Sequence, residues 1–268
     1  MGNGDKETLA GLCRRIREGG LSREERLLLR RDGRGAVKQA WAALGRTLLR
    51  RRREAARLRR MLHFETALWR SGVPAIAGID EAGAGPLAGP VFAAAVILPP
   101  GHSIAEIDDS KKLPESTRLR LAEVIRREAI SYCVALAEVA EIDRLNIRNA
   151  CMLAMRRAAL GLVWPPQMPH GPTPHVLVDA HTVPGLGLPQ TGIAHGDARS
   201  QSIAAASILA KVSRDAAMCA YAEQYPGYGF EVHKGYGTPL HQQQLAALGP
   251  CAIHRRSFAP VAQQLRRL

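Results

Sequence analysis

Aromatic residues make up only 4% of this 268-residue chain, and none of its five cysteines stands in a C-x-x-C pair. With so few rings, a core has to be built from Ala, Leu, Val and Ile. The 46% of hydrophobic residues is enough for a sizeable one. Without paired cysteines a zinc site has no sequence support. Cys13, Cys133, Cys151, Cys219 and Cys251 read instead as small buried apolar residues in a reducing compartment. No apolar run reaches membrane-spanning length, and the first twenty residues lack the apolar segment of a secretory signal. The expectation is a cytoplasmic protein with no membrane partner.

Negative charge is also scarce, and unevenly so. Against 37 Lys and Arg stand 24 Asp and Glu, a net charge of +13. Residues 1–72 carry 19 basic and 8 acidic side chains, whereas residues 73–268 carry 18 and 16. The pattern predicts a basic appendage over 1–72 on a nearly neutral core over 73–268. A basic appendage favours a polyanionic partner.

The appendage reads as helix throughout. Residues 7–18 form a short helix stopped by Gly19-Gly20, and Ser22 with Glu25 makes a capping box for a second. From Ala36 to Arg70 no proline interrupts an Ala/Leu/Arg pattern in which Trp41, Leu44, Leu48, Ala55, Leu58, Leu62 and Leu68 recur at helical spacing. Arg50-Arg51-Arg52-Arg53, Arg57, Arg59 and Arg60 cover most of its remaining surface. Such a helix is either a solvated face packed by one stripe or a clamp on nucleic acid.

Ser71-Gly72-Val73-Pro74 marks a change of pattern. Ile76–Asp80, Val91–Leu98, Ser131–Glu138, His175–Asp179 and Gln190–His195 read as strands. Residues 114–129, 141–145, 146–162, 202–225 and 238–248 read as helices, and 164–174 as a Pro-rich loop. The tally is an α/β domain of about five strands with helices around the sheet.

Four acids fall at the ends of these elements. Asp80 and Glu81 follow the first strand, Asp179 ends the fourth, and Asp197 lies just past the fifth. Like charges gathered at strand ends repel, and a divalent cation removes that conflict. Each acid alone could equally be a cap or turn former; Asp197, three residues before Ser200, could simply start the long helix. Adjacent strand residues point to opposite faces, so Asp80 and Glu81 converge only if the strand ends there. Gly83 and Gly85 would allow that break. Their small-residue loop also brings backbone amides close, and amides bind phosphate or hydroxyl groups. Metal and phosphate together point to phosphodiester hydrolysis.

At these residues the chain resembles the ribonuclease HII family. The resemblance runs over residues 75–261, through Gly78-Ile79-Asp80-Glu81-Ala82-Gly83-Ala84-Gly85-Pro86-Leu87-Ala88-Gly89-Pro90, then Asp109-Ser110-Lys111-Lys112-Leu113. It continues through Asn146-Ile147, Asp179, Gly196-Asp197 and Ala206–Val212. It closes through His233-Lys234-Gly235-Tyr236-Gly237-Thr238 and His254-Arg255-Arg256-Ser257-Phe258. It implies an RNase H-like fold: a mixed central sheet flanked by helices, here with an N-terminal helical extension. It also implies a monomer that hydrolyses RNA in RNA–DNA hybrids and cuts 5′ of single ribonucleotides in duplex DNA, giving 5′-phosphate and 3′-hydroxyl ends. By motif position Asp80, Glu81, Asp179 and Asp197 are the catalytic ligands of Mn²⁺ or Mg²⁺. Lys111 and Lys112 meet backbone phosphate. Gly83, Ala84 and Gly85 read the 2′-hydroxyl, and Tyr236 packs at the RNA–DNA junction. Ala84 departs from the family, which has arginine there, so a side-chain contact to phosphate is lost while backbone readout is kept. The basic helices are expected to supply part of the missing phosphate attraction. The competing expectation, a nucleic-acid-binding protein with an inactive core of the same fold, would require one of the four acids to be missing.

Overall fold

The computed structural model describes residues 8–165 and 173–267, so the middle of the Pro-rich loop expected over 164–174 and the first residue of the helix expected over 7–18 lie outside the described residues. The chain divides into two compact units at Arg59/Arg60. The boundary expected at 72/73 is thus earlier.

In the first unit, α1 (Leu9–Glu18) starts on Thr8, whose Oγ1 accepts the Gly11 N–H, and ends on Gly19 in the left-handed region at φ 77°. α2 (Arg23–Leu29) starts on the expected capping box: Glu25 N–H reaches Ser22 Oγ at 3.1 Å, and Ser22 N–H reaches Glu25 Oε2 at 2.7 Å. Cys13, Ile16 and Leu21 meet Val37 and Ala40 of α3 (Gly35–Met61) in a small core of the unit's own.

The periodic run expected to be one helix is broken at Leu62, and α4 (His63–Arg70) follows. α4 belongs to the larger unit for a physical reason. Its Phe64, Leu68 and Trp69 pack against Ile76, Leu177, Ile193 and Ile203. Its fully buried Glu65 accepts hydrogen bonds from Ser200 Oγ (2.6 Å) and Ser202 N–H (3.1 Å).

The larger unit is built on β1 (Ile76–Ala82), β2 (Val91–Ile97), β3 (Ser131–Ala137), β4 (His175–Asp179) and β5 (Gln190–Ile193), in the order β3-β2-β1-β4-β5. β2 runs antiparallel to its two neighbours β1 and β3; β4 and β5 run parallel to β1. Between β2 and β3 lies α5 (Glu115–Glu128); α6 (Val139–Leu145) and α7 (Ile147–Leu160) follow β3. After β5 come α8 (Gln201–Gln224), α9 (Phe230–His233), α10 (Pro239–Leu248) and α11 (Ala259–Leu265). Strand alternation sends Ala77, Ile79, Val91, Ala93, Ala95 and Ile97 to the face covered by α7, where they meet Ala150, Ala154, Met155 and Ala158.

α8 covers the other face, packed on β1 and β2 with α5 beside it. Its approach depends on Gly78. A Cβ at that position would stand 2.0 Å from the Ser202 carbonyl carbon. Alanines elsewhere on β2 and α8 serve the same end, which is how a chain poor in aromatics closes its core. Among the described residues no helix is long and apolar enough to cross a membrane.

Candidate active site

The C-terminal ends of β1 and β4 lie side by side, and their register fixes the site. The last paired residues are Ile79 and Val178, so Asp80 and Asp179 follow at the same level. On its other side β1 does not stop at the acids, as the glycines had led us to expect. Asp80 pairs with Ala94, Glu81 with Ala93 and Ala82 with Phe92. The break is one-sided: β4 ends, β2 continues, and the freed edge of β1 carries the carboxylates.

Asp197 comes from a single 3-10 turn, Gly196–Ala198, tied to β4 by the Gly196 N–H on Asp179 Oδ1 at 2.7 Å. It is not the cap of the long helix; Ser200 is, its Oγ accepting the Ile203 N–H at 3.2 Å. The helix-starting role open to Asp197 is therefore filled by another residue, and the acid is left facing the others.

The four carboxylates act on one another. Burial holds the Asp80 carboxyl well above the usual range, and the charges of Glu81 and Asp179 add to that. Glu81 is raised by burial, then by Asp179 and Asp197. Asp197 is raised by burial, then by Asp109 and Asp179. Lys111 is the cation in this field. Desolvation opposes its charge, but Asp80, Asp197, Asp109 and Asp179 outweigh it and raise its pKa. Lys112 is not drawn in; it turns to Asp108 and Asp109 at 3.7 and 3.8 Å.

Among the described residues no three carboxylate, imidazole or thiol groups stand close enough together to enclose an ion as they are. Asp80 Oδ1 accepts the Glu81 N–H at 2.7 Å, as Asp179 Oδ1 accepts that of Gly196. The chemistry of the set nonetheless fits one kind of ion. All the donors are hard oxygens, which suit Mg²⁺ or Mn²⁺. Their mutual repulsion in a buried place is the conflict a divalent cation relieves.

Beside the acids runs the loop from Gly83 to Pro90. Gly83 has φ +97°, and a Cβ there would lie 2.0 Å from Arg214 Nε. Among the described residues neither the Ala84 N–H nor the Gly85 N–H has an acceptor. A Cβ on Gly85 would come within 3.9 Å of Tyr236 Cε1, so the tyrosine stands over this loop. Tyr236 is 42% exposed, with Arg214 and Lys211 at 5.7 and 6.0 Å from its ring centroid.

The family model for ribonuclease HII matches residues 77–261. The chain belongs to the ribonuclease HII family. A ribonuclease HII of Myxococcus xanthus is 54% identical over 215 residues, 80% of this chain and 71% of the relative. Among solved structures, the ribonuclease H2 of Pyrococcus horikoshii superposes with a TM-score of 0.58 at 23% identity, covering 72% of this chain and 98% of that one. A Bst-RNase HIII crystallised with Mn²⁺ also gives 0.58, at 19% identity over 75% of this chain and 72% of that one. These two likenesses establish the RNase H-like fold. As a member of that family the chain is a type 2 ribonuclease H, an endonucleolytic hydrolase; the family is metal-dependent and acts on RNA–DNA substrates.

Sequence reasoning missed three parts of the candidate site. Asp109 stands in the quoted Asp-Ser-Lys-Lys-Leu stretch, but nothing in the sequence shows that it reaches Asp197. Arg214 and Arg255 are 1% and 0% exposed. Arginine is seldom fully buried, so neither residue signalled a role under the loop.

Proposed function

We propose that this chain cuts RNA in RNA–DNA hybrids and, in duplex DNA, the bond 5′ of a single ribonucleotide, leaving 5′-phosphate and 3′-hydroxyl ends. The observation that carries the proposal is a single neighbourhood holding four mutually repelling carboxylates, two backbone amides without acceptors and a half-exposed tyrosine. Asp80, Glu81, Asp179 and Asp197 are the catalytic residues and the ligands of Mg²⁺ or Mn²⁺. These four side chains would hold such an ion, which would supply a Lewis acid for the phosphate and for the attacking water.

The protein's own groups select and hold the substrate. The amides of Ala84 and Gly85 donate to the ribose 2′-oxygen, a contact that a deoxyribose does not offer. Tyr236 lays its ring against the sugar at the junction. The Lys111 ammonium, kept charged by the acids, binds the phosphate next to the cut. The helical unit ending at Arg59 adds long-range attraction for the duplex backbone, offsetting the side-chain cation that Ala84 lacks. The enzyme works as a monomer in the cytoplasm.

The deciding assay uses a DNA duplex with one ribonucleotide, in Mg²⁺ or Mn²⁺, for the wild type and Asp80→Asn. The wild type is expected to give one nick 5′ of the ribonucleotide with a ligatable 5′-phosphate, and the variant none. Equal activity in the two proteins would overturn the assignment of the acids.

A further inference from the structure

Two arginines lie fully buried beneath the Gly83–Pro90 loop. Arg255 Nη2 donates to the Gly83 carbonyl at 2.6 Å, Nη1 to that of Ala84 at 2.9 Å and Nε to that of Gly89 at 2.9 Å. Arg214 Nη2 and Nε donate to the carbonyls of Ala88 and Pro90, both at 3.2 Å. The Arg255 backbone N–H takes the Leu87 carbonyl as well, at 2.9 Å.

Neither guanidinium has a carboxylate partner within ion-pair distance among the described residues. Burial, and then the charge of Arg214, pulls Arg255 down to about 9. Burying two cations together is a costly way to fill space. A planar fork of donors does offer something that an apolar side chain or a lysine does not. It holds several carbonyls of one turn at fixed angles. Phe258 fixes the fork in turn, with its ring centroid 5.1 Å from the Arg255 Cζ.

A peptide plane points its C=O and the next residue's N–H in opposite directions. With the Gly83 and Ala84 carbonyls pinned on Arg255, the N–H groups of Ala84 and Gly85 are turned the other way. These are the two amides without acceptors. We propose that Arg255, supported by Arg214, is a positioning residue for ribose discrimination: by holding two loop carbonyls inward it aims the Ala84 and Gly85 amides at the 2′-hydroxyl. The proposal rests on the reading of that loop given above. It also explains how alanine is accommodated at position 84, since the aim of the amides is set from behind the loop and not by that side chain.

The test compares binding of a DNA duplex carrying one ribonucleotide with binding of the same all-DNA duplex, by fluorescence anisotropy, in Ca²⁺ to slow cutting. Arg255→Lys keeps the charge but cannot span three carbonyls. It is expected to reduce the preference for the ribonucleotide duplex about tenfold, with the all-DNA Kd within twofold of wild type. A folded variant with an unchanged preference overturns the proposal, as does one that weakens both duplexes equally, the mark of a merely structural arginine. Where thermal melting shows that Arg255→Lys does not fold, Phe258→Leu loosens the same guanidinium while leaving its donors, and is read by the same ratio. A wild type without preference would overturn the reading of the loop itself, and this proposal with it.

Discussion

Acidification between pH 6.5 and 4 should weaken the fold through a pair of buried histidines, and their hydrogen bonds fix how. The Cys251 N–H donates to His254 Nδ1 at 3.0 Å, so the proton of that ring is on Nε2. His241 Nδ1 donates to the Tyr236 carbonyl at 2.9 Å, so its Nε2 is the acceptor. The two Nε2 atoms are 3.1 Å apart, with His254 donating to His241. A second proton on either ring would set two N–H groups against each other or cost the Cys251 amide its acceptor. Burial, and then the neighbouring His241, accordingly pushes His254 down to about 4 from an ordinary 6.5. His241 is lowered too, first by burial.

The unfolded chain takes up the proton near 6.5 and the native state does so only near 4. The contribution of His254 is therefore complete above 6.5 and is lost as pH falls through that window. At about 1.4 kcal/mol per pH unit, the gap amounts to about 3 kcal/mol. Chemical denaturation of the wild type and His254→Asn at steps from pH 7.5 to 4 isolates this histidine from the raised site acids, which titrate in both proteins. The stability difference between the two should shrink by about 3 kcal/mol across the window. A difference that stays flat with pH would refute the reasoning.

Gly83→Ala should destabilise by about 2 kcal/mol or more, since it combines a left-handed backbone with a Cβ 2.0 Å from Arg214 Nε. Gly85→Ala, whose Cβ first meets Tyr236 at 3.9 Å, should cost under about 1 kcal/mol, and denaturation midpoints would show the contrast. Replacing the exposed Arg50, Arg51, Arg52 and Arg53 by Gln should flatten the dependence of log K on log salt for duplex binding by up to about 3 to 4; an unchanged slope removes the helical unit from substrate binding. Lys111→Ala should raise KM for the ribonucleotide duplex more than Lys112→Ala, because only Lys111 sits in the field of the acids; equal effects would mean that both lysines act as general surface charge.

The sheet was legible because β1 and β2 are apolar runs set apart by Gly and Pro, and all five strands overlap the stretches read as strands. The four acids were legible as residues at strand ends. The one-sided end of β1 was not, because Gly83 reports local freedom while the pairing of Ala82 with Phe92 depends on a strand ten residues away. α4 read as part of the appendage because its periodicity continues that of α3. Only burial of Glu65 and Phe64 against the larger unit shows where it belongs. α9 and α11 are short and carry no start signal strong enough to read without their neighbours.

Gly78 lies two residues before the first acid and touches none of the chemistry. Yet Asp80 rides on β1 and Asp197 stands just ahead of α8, and those two elements are separated at Gly78 by a gap with no room for a methyl group. The gauge of the site is set there. A single added carbon at position 78 would push the helix off the strand and open the spacing between two carboxylates, without altering any atom of either.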